Sequence, residues 1–553
     1  MTTTVNDKKR PTPKDAPGGD PQGPAAPDYQ VAIIGAGPGG IATGVKLSKA
    51  GINDYVIIER SDNFGGSWQL NQYPGIAVDI PGVAYQFGFA RKHDWSRLFP
   101  FGPEVKQYHQ DVAREYGLYE HAMFNTDVER EIWDDAGHYW KLHTSSGKVV
   151  TARFVISAVG AFVRPKAENI PGVSKFKGKI QRPTSWDYSW DLTGKKVAVI
   201  GTGASAVQII PAIAKDVGSL SVFQRTPVWC APIKPDGPMP KAAQGVLKIP
   251  GLVGAGESVA LVVIDLALRA AVSVPLAIVK PVLTAFDKVA IKGYAAFLKL
   301  FIRDAETAKK LTPNYGVIAK RPTMSNGYLQ AFNRSNVSLI TDPIETVTAK
   351  GIKTRDGVEH DFDMIVLATG YDVFSDPETY LTGSIVGREG FDLGEFYTKE
   401  GMQAYQSASV HGIPNRWMLV GPYSWTGSGW HAFVEMTADH AIRAITEAKR
   451  RDATLVEVHR AAADAYHKKI LHNNRAINFY LADLNAHVPT YYRNSHGHST
   501  YIRPSGFFEA SRGNRKFPYS DYSWEKVPAK AAAPKDSGKA AGAAPALSQV
   551  SAK

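Results

Sequence analysis

Three observations predict an α/β architecture of two doubly wound parallel sheets, with a helical segment inserted in the second. A glycine signature, Gly35-Ala36-Gly37-Pro38-Gly39-Gly40, stands between an apolar run and a helix-like run. A second copy, Gly201-Thr202-Gly203-Ala204-Ser205-Ala206, has the same flanks. A long apolar stretch, Ser258 to Phe286, interrupts the chain after the second copy. With 50 glycines in 553 residues a bare G-x-G-x-x-G arises by chance about 0.4 times, so the flanks decide.

The first copy follows Val31-Ala32-Ile33-Ile34 and opens a run with apolar residues at Ile41, Val45 and Leu47, the spacing of a helix laid on a sheet. A second strand, Tyr55-Val56-Ile57-Ile58, ends on Glu59, where a carboxylate accepts hydrogen bonds from ribose hydroxyls. Glycines let the backbone approach a pyrophosphate, and the helix start adds unpaired N–H groups and a positive dipole end. This is a complete βαβ mononucleotide unit of Rossmann-like type, and its acid suits a ribose without phosphate, as in FAD.

Lys196-Val197-Ala198-Val199-Ile200 precedes the second copy, and the next strand, Leu220-Ser221-Val222-Phe223, runs into Gln224-Arg225-Thr226 without an acid. A carboxylate there would repel a 2′-phosphate, whereas a guanidinium forks onto it. The second site therefore reads as NADPH rather than NADH. Ser205 follows a glycine turn, but the pattern is not G-x-S-x-G, so phosphate contact or helix capping is its expected role.

A chain of this length divides into two or three domains. Its 64 basic and 52 acidic residues give a net charge of +12. Basic residues of the body are interspersed with acids rather than clustered with aromatics, which argues against nucleic-acid binding. One cysteine, Cys230, excludes an internal disulfide and a Cys-x-x-Cys redox pair, and with them disulfide reductase chemistry. His496 and His498 flank Gly497 without further ligands nearby, so no metal site is expected. The Pro/Gly/Asp/Lys-rich segment 1–28 and the Ala/Lys/Pro-rich segment 527–553 read as disordered tails. No run of 18 uncharged apolar residues occurs, since Ser258–Phe286 is broken by Asp265, Arg269 and Lys280 and kinked by Pro275 and Pro281. Buried helices of an insert are the first expectation there, with a greasy substrate tunnel or a peripheral membrane-facing patch as alternatives. A cytoplasmic location is expected.

Between the glycine signatures lies Gly65-Gly66-Ser67-Trp68-Gln69-Leu70-Asn71-Gln72-Tyr73-Pro74-Gly75-Ile76-Ala77-Val78-Asp79. Paired glycines permit close passage to a flat ring, Trp68 and Tyr73 offer planar surfaces, and Asp79 is a fixed acceptor. Gly-Gly-x-Trp followed by Tyr-Pro-Gly-x-x-x-Asp resembles the active-site loop of the flavin-dependent Baeyer–Villiger monooxygenases. The resemblance extends over most of residues 29–526, through Asp94-Trp95-Ser96-Arg97, Gln224-Arg225-Thr226-Pro227, Lys320-Arg321-Pro322 and Ala368-Thr369-Gly370-Tyr371-Asp372. That family's fingerprint, F-x-G-x-x-x-H-x-x-x-W then Pro or Asp, is matched by Phe176, Gly178, Trp186 and Asp187, but Arg182 stands where the histidine belongs. Arginine donates hydrogen bonds but cannot lose its proton at neutral pH.

The resemblance implies an FAD- and NADPH-dependent monooxygenase that inserts one oxygen atom from O2 beside the carbonyl of a hydrophobic, bulky ketone. Arg321 is the implied catalytic arginine, stabilising an anionic flavin C4a-peroxide and the oxyanion that follows its attack, with Asp79 orienting it. Expected cofactor residues are Gly35, Gly37, Gly39, Gly40, Glu59, Gly66, Ser67, Trp68, Asp79, Tyr85 and Val128 for FAD. For NADPH they are Gly201, Gly203, Ala204, Ser205, Gln208, Arg225, Thr226 and Lys320. Trp430 and His431 are expected at the substrate pocket. Oxygenation of nitrogen or sulfur is the alternative chemistry, and an uncoupled NADPH oxidase a lesser one. The implied organisation is an FAD domain at 29–165 and 376–526, a linker with the fingerprint at 166–191, an NADPH domain at 192–233 and 319–375, and a helical insert at 234–318.

Overall fold

The computed structural model describes residues 26–162, 164–166, 170–233, 237–249, 251–425 and 429–527. Apart from 26–28 and Val527, the expected tails lie outside these residues. At both boundaries the chain is tied down: the Asp28 carboxylate accepts the Thr151 N–H at 2.9 Å, and the Val527 N–H donates to Thr454 Oγ1 at 2.7 Å.

The first glycine unit builds a parallel sheet in the order Ala122–Met123, Tyr55–Ile58, Tyr29–Ile34, Val149–Ser157, Arg416–Met418. Val31, Ala32 and Ile33 are fully buried, as a central strand covered on both faces requires. Helix Pro38–Lys49 covers it, and Trp430–Arg451, from far along the chain, packs on that helix. The sheet is not purely parallel as expected. Val128–Asp134 and Tyr139–Thr144 form an antiparallel meander off the first half of Val149–Ser157, and Ile385–Val386 extends its far edge.

All five strands of the second sheet are parallel, in the order Val337–Ile340, Ser219–Phe223, Lys196–Ile200, Met364–Leu367, Lys179–Gln181. The last of these lies within the fingerprint, in the segment read from sequence as a linker. It is the edge strand of the second sheet, held by the Gln181 side chain, which donates to the Asp187 carbonyl and accepts the Asp187 N–H, and by a Lys179–Asp187 ion pair.

The insert leaves the second unit after Cys230–Ala231 and returns beside it at Thr323–Met324, with which that strand pairs. Between them lie helices Lys241–Leu247, Leu252–Ser273, Leu276–Phe301 and Ala305–Lys310. Pro275 starts the third helix, where a missing N–H costs nothing, whereas Pro281 lies inside it rather than ending it. Asp265 and Asp287 point inward. Asp265 accepts the Phe507 and Phe508 N–H groups at the start of helix Phe507–Arg515, and Asp287 accepts the Tyr480 hydroxyl at 2.8 Å. The insert's apolar helices are not buried as expected: large side chains along both long helices face outward.

One buried ion pair binds the meander to the parallel sheet. Arg416 Nε and Nη2 donate to the two Glu131 oxygens at 2.7 and 2.8 Å, with both side chains nearly inaccessible. Removing one partner leaves an uncompensated buried charge, which costs about 3–5 kcal/mol. Glu131→Ala is therefore expected to lower the urea midpoint by that amount of stability, and Glu131→Ala with Arg416→Met to recover part of it.

Candidate active site

Both glycine loops open on one cavity of about 2000 Å³, more than a single small-molecule pocket occupies. The helices that follow, Pro38–Lys49 and Ala204–Ile213, start at Gly37 and Gly203 with no side-chain cap. Their first-turn N–H groups are thus left for a ligand. At Gly203 an added Cβ would meet nothing within 4 Å, so this backbone faces open space. Gly37 and Gly66 instead approach each other: a Cβ on Gly66, whose φ is +55°, would lie 2.7 Å from the Gly37 Cα. The loop carrying Trp68 to Asp79 is therefore pressed backbone to backbone on the first glycine loop.

Glu59 is fixed before any ligand arrives. One carboxylate oxygen accepts the Ala36 N–H at 2.7 Å, and the other accepts the Ser61 N–H and hydroxyl. Each oxygen has two acceptor directions, so the first keeps one on the cavity wall. Ser67 Oγ donates to the Ala161 carbonyl, and Trp68 Nε1 donates to the Tyr85 hydroxyl at 2.9 Å. Burial pushes Tyr85 up to about 12, keeping it neutral.

Residues 72–79 run from the first unit onto the second. Tyr73 donates to Gln208 Oε1 at 2.9 Å, Gln208 Nε2 donates to the Ala77 carbonyl at 2.9 Å, and a Cβ on Gly75 would lie 2.6 Å from the Gln208 carbonyl oxygen. At the loop's end Asp79 meets Arg321. Arg321 Nε donates to Asp79 Oδ2 at 3.0 Å, and Nη2 to both carboxylate oxygens at 2.7 Å. Nη1 is not among the atoms that bind Asp79. Burial opposes the Arg321 charge, but the Asp79 carboxylate and the Tyr491 and Tyr492 phenols outweigh it and hold the guanidinium above its ordinary value.

Lys320 and Arg225 face the second glycine loop with no acidic partner among the described residues. Burial, and then the Arg225 charge, push Lys320 down to about 8. Two neighbouring cations held without a counter-ion suit a polyanion, and the exposed Arg225 offers the fork that a 2′-phosphate needs. The residues present thus fit two dinucleotides: a glycine cradle with a fixed acid in one unit, and a glycine cradle with paired cations in the other.

Nearly all expected site residues line this cavity, including Gly35, Gly39, Val128, Gly201, Ala204, Ser205, Thr226 and Trp430. Two do not. Gly40 packs behind the loop, where a Cβ would sit 2.0 Å from the Gly35 carbonyl oxygen. His431 is fully buried, with its Nε2 2.8 Å from His109 Nε2 and its ring against Tyr85 and Phe87. It belongs to the core behind Trp430 and is not on the pocket wall. Sequence reasoning missed Asn71, whose amide donates to the Ser67 carbonyl and whose Oδ1 accepts from Tyr371 at 2.6 Å. Both lay inside motifs quoted for other residues. It also missed Tyr491 and Tyr492, which no motif marks.

A profile of the pyridine nucleotide-disulphide oxidoreductase family matches residues 32–235, the span holding both glycine loops. With one cysteine in the chain, that match speaks for the nucleotide-binding fold and not for disulphide chemistry. A Baeyer–Villiger monooxygenase of Pseudomonas aeruginosa is 33% identical over 447 residues, covering 80% of this chain and 82% of that protein. Another, of Streptomyces coelicolor, is 34% identical over 400 residues, covering 72% and 74%. Among solved structures, OTEMO in complex with FAD and NADP superposes with a TM-score of 0.77 at 26% identity, over 90% of this chain and all of that one. Oxidised steroid monooxygenase bound to NADP does so with a TM-score of 0.76 at 26% identity, over 90% and 99%. Similarity of this extent, across both nucleotide units and the loop that joins them, makes the chain a member of the Baeyer–Villiger monooxygenase family.

Proposed function

We propose that the protein is an FAD- and NADPH-dependent monooxygenase that converts a bulky hydrophobic ketone into an ester or lactone, with Arg321 and Asp79 as its catalytic pair. The observation that carries this reading is the Arg321–Asp79 fork, set on the wall of a cavity that both glycine loops share. When bound, NADPH would supply the hydride that reduces FAD, and the reduced flavin would activate O2, one atom of which enters the product while the other leaves as water.

The chain's own residues do the rest. The Gly35–Gly39 loop and the start of helix Pro38–Lys49 take one pyrophosphate, with Glu59 on the ribose, and Gly201–Ser205 take the other. Arg225, Thr226 and Lys320 take the 2′-phosphate. Asp79 fixes the plane of the Arg321 guanidinium through two of its nitrogens, and the charge that remains stabilises negative oxygen developing in the cavity. Arginine suits this because its charge is permanent and its fork rigid. Asp79 keeps Arg321 from swinging onto another anion. Trp430 and the apolar wall around it receive the hydrophobic part of the ketone and exclude water. The single buried cysteine suits a reducing compartment such as the cytoplasm.

Removing a single well-placed charged donor costs about 10²–10³ in kcat. Arg321→Ala is expected to lose ester formation by that factor while NADPH consumption continues with release of hydrogen peroxide, measured by product chromatography beside a peroxide assay. Lys320 binds phosphate only when charged. Its depressed value means the charge is present below about 8 and lost above it, so kcat/KM for NADPH should fall as pH rises through that region. The same profile with NADH, or with Lys320→Met, should be flat. Matched cyclic ketones and thioethers decide the chemistry: lactone is the expected product, and sulfoxide without lactone would overturn the reading.

A further inference from the structure

Each of the two long helices of the insert carries large apolar side chains that the fold leaves uncovered. On Leu276–Phe301 the inward residues follow helical spacing, through Val279, Leu283, Asp287, Tyr294 and Leu298. Ile278, Val282, Phe286, Val289 and Leu300 form a second stripe about 120° round the helix, with Val289 71% and Leu300 84% exposed. At 100° per residue, exposed Lys288, Lys292 and Lys299 form a row directly beside that stripe. Leu252–Ser273 adds Val259, Val262, Val263 and Leu266, all exposed. Its neighbours Ala260 and Leu261 line the central cavity.

Among the described side chains, charge on this face has one sign. Asp265 and Asp287 are turned inside and spent as acceptors, so among the described side chains of the two helices no acid is exposed. An uncovered apolar stripe of this kind marks an interaction site. A helix with a lysine row beside an apolar stripe is the pattern that lies in a bilayer interface, drawn by burial of the stripe and by anionic headgroups. No single helix among the described residues is long and apolar enough to cross a membrane.

We propose that this face seats the protein on an anionic phospholipid bilayer, with the stripe of Val282, Phe286 and Val289 entering the acyl boundary and Lys288, Lys292 and Lys299 meeting headgroup phosphates. The apolar ketone then passes from lipid to the cavity by way of Ala260 and Leu261. The docking stands by itself; only the route for the ketone rests on the oxygenase reading.

The test uses the full-length, FAD-loaded protein and sedimented vesicles of phosphatidylcholine, alone or mixed with phosphatidylglycerol. Binding to the mixed vesicles, weakened by salt, is expected. Each lysine near a charged surface contributes roughly fivefold, so Lys288→Glu/Lys292→Glu/Lys299→Glu should weaken it by at least about tenfold, and Val282→Asp/Phe286→Asp should abolish it. Both variants should retain flavin and turn over a small water-soluble ketone as before, while losing rate on a ketone dissolved in the vesicles. Failure to sediment with either lipid overturns the proposal, as does binding undiminished in both variants. So does a dimer in solution that Val282→Asp/Phe286→Asp converts to monomer, because a second copy would then cover the face. If wild-type protein binds vesicles but leaves the soluble ketone unchanged, the oxygenase reading fails and the docking stands.

Discussion

The ion pair of Arg321 with Asp79 joins two stretches of chain 242 residues apart, and the rest of the site is arranged so that it can exist. Asp79 arrives there because the loop before it is pinned twice, first on Gly37 by the bare backbone of Gly66 and then on Gln208 by Tyr73, Gly75 and Ala77. Arg321 arrives there because the insert returns to its point of departure, closing with the short pairing of Cys230–Ala231 and Thr323–Met324. A half-buried pair of this kind is weak evidence for stability. Its geometry is better understood as positioning: the carboxylate holds two guanidinium nitrogens and so fixes the plane of the whole group.

Much of this was legible in the sequence, because the relevant signals are local. A strand, a glycine turn and a helix start within a dozen residues leave a readable pattern, and both nucleotide units appeared where those patterns stand. The loop from Gly65 to Asp79, and Arg321 beside Lys320, were marked instead by their resemblance to a known family. Other features depend on partners far away in the chain. Whether His431 faces a pocket is decided by His109, 322 residues earlier, and a lone histidine on a helix carries no sign of that. The antiparallel meander was missed because its strands alternate in burial, from Val128 to Asp134 and from Tyr139 to Thr144, between two far stronger apolar runs.

The insert shows a different limit. Helical periodicity reports that one face differs from the other, but not which side meets the protein. Here both faces of Leu276–Phe301 are rich in apolar residues, and the inward one is identified by the acid it carries, Asp287, bound to Tyr480. An aspartate in the middle of an apolar helix would ordinarily be assigned to solvent. It is buried because a phenol and an amide in the C-terminal region satisfy it.

Gln208 has a consequence of its own. It sits in the first helix of the second unit, three residues beyond the Ser205 backbone, yet its side chain holds two points of the loop that ends in Asp79 and its carbonyl abuts a third, Gly75. A rotation of the second unit against the first would pull on that loop through this residue, as it would through the bond from Tyr371 to Asn71. The helix that opens on the second glycine loop and the aspartate that meets the arginine are thus joined through the side chain of a single glutamine and a few residues of backbone.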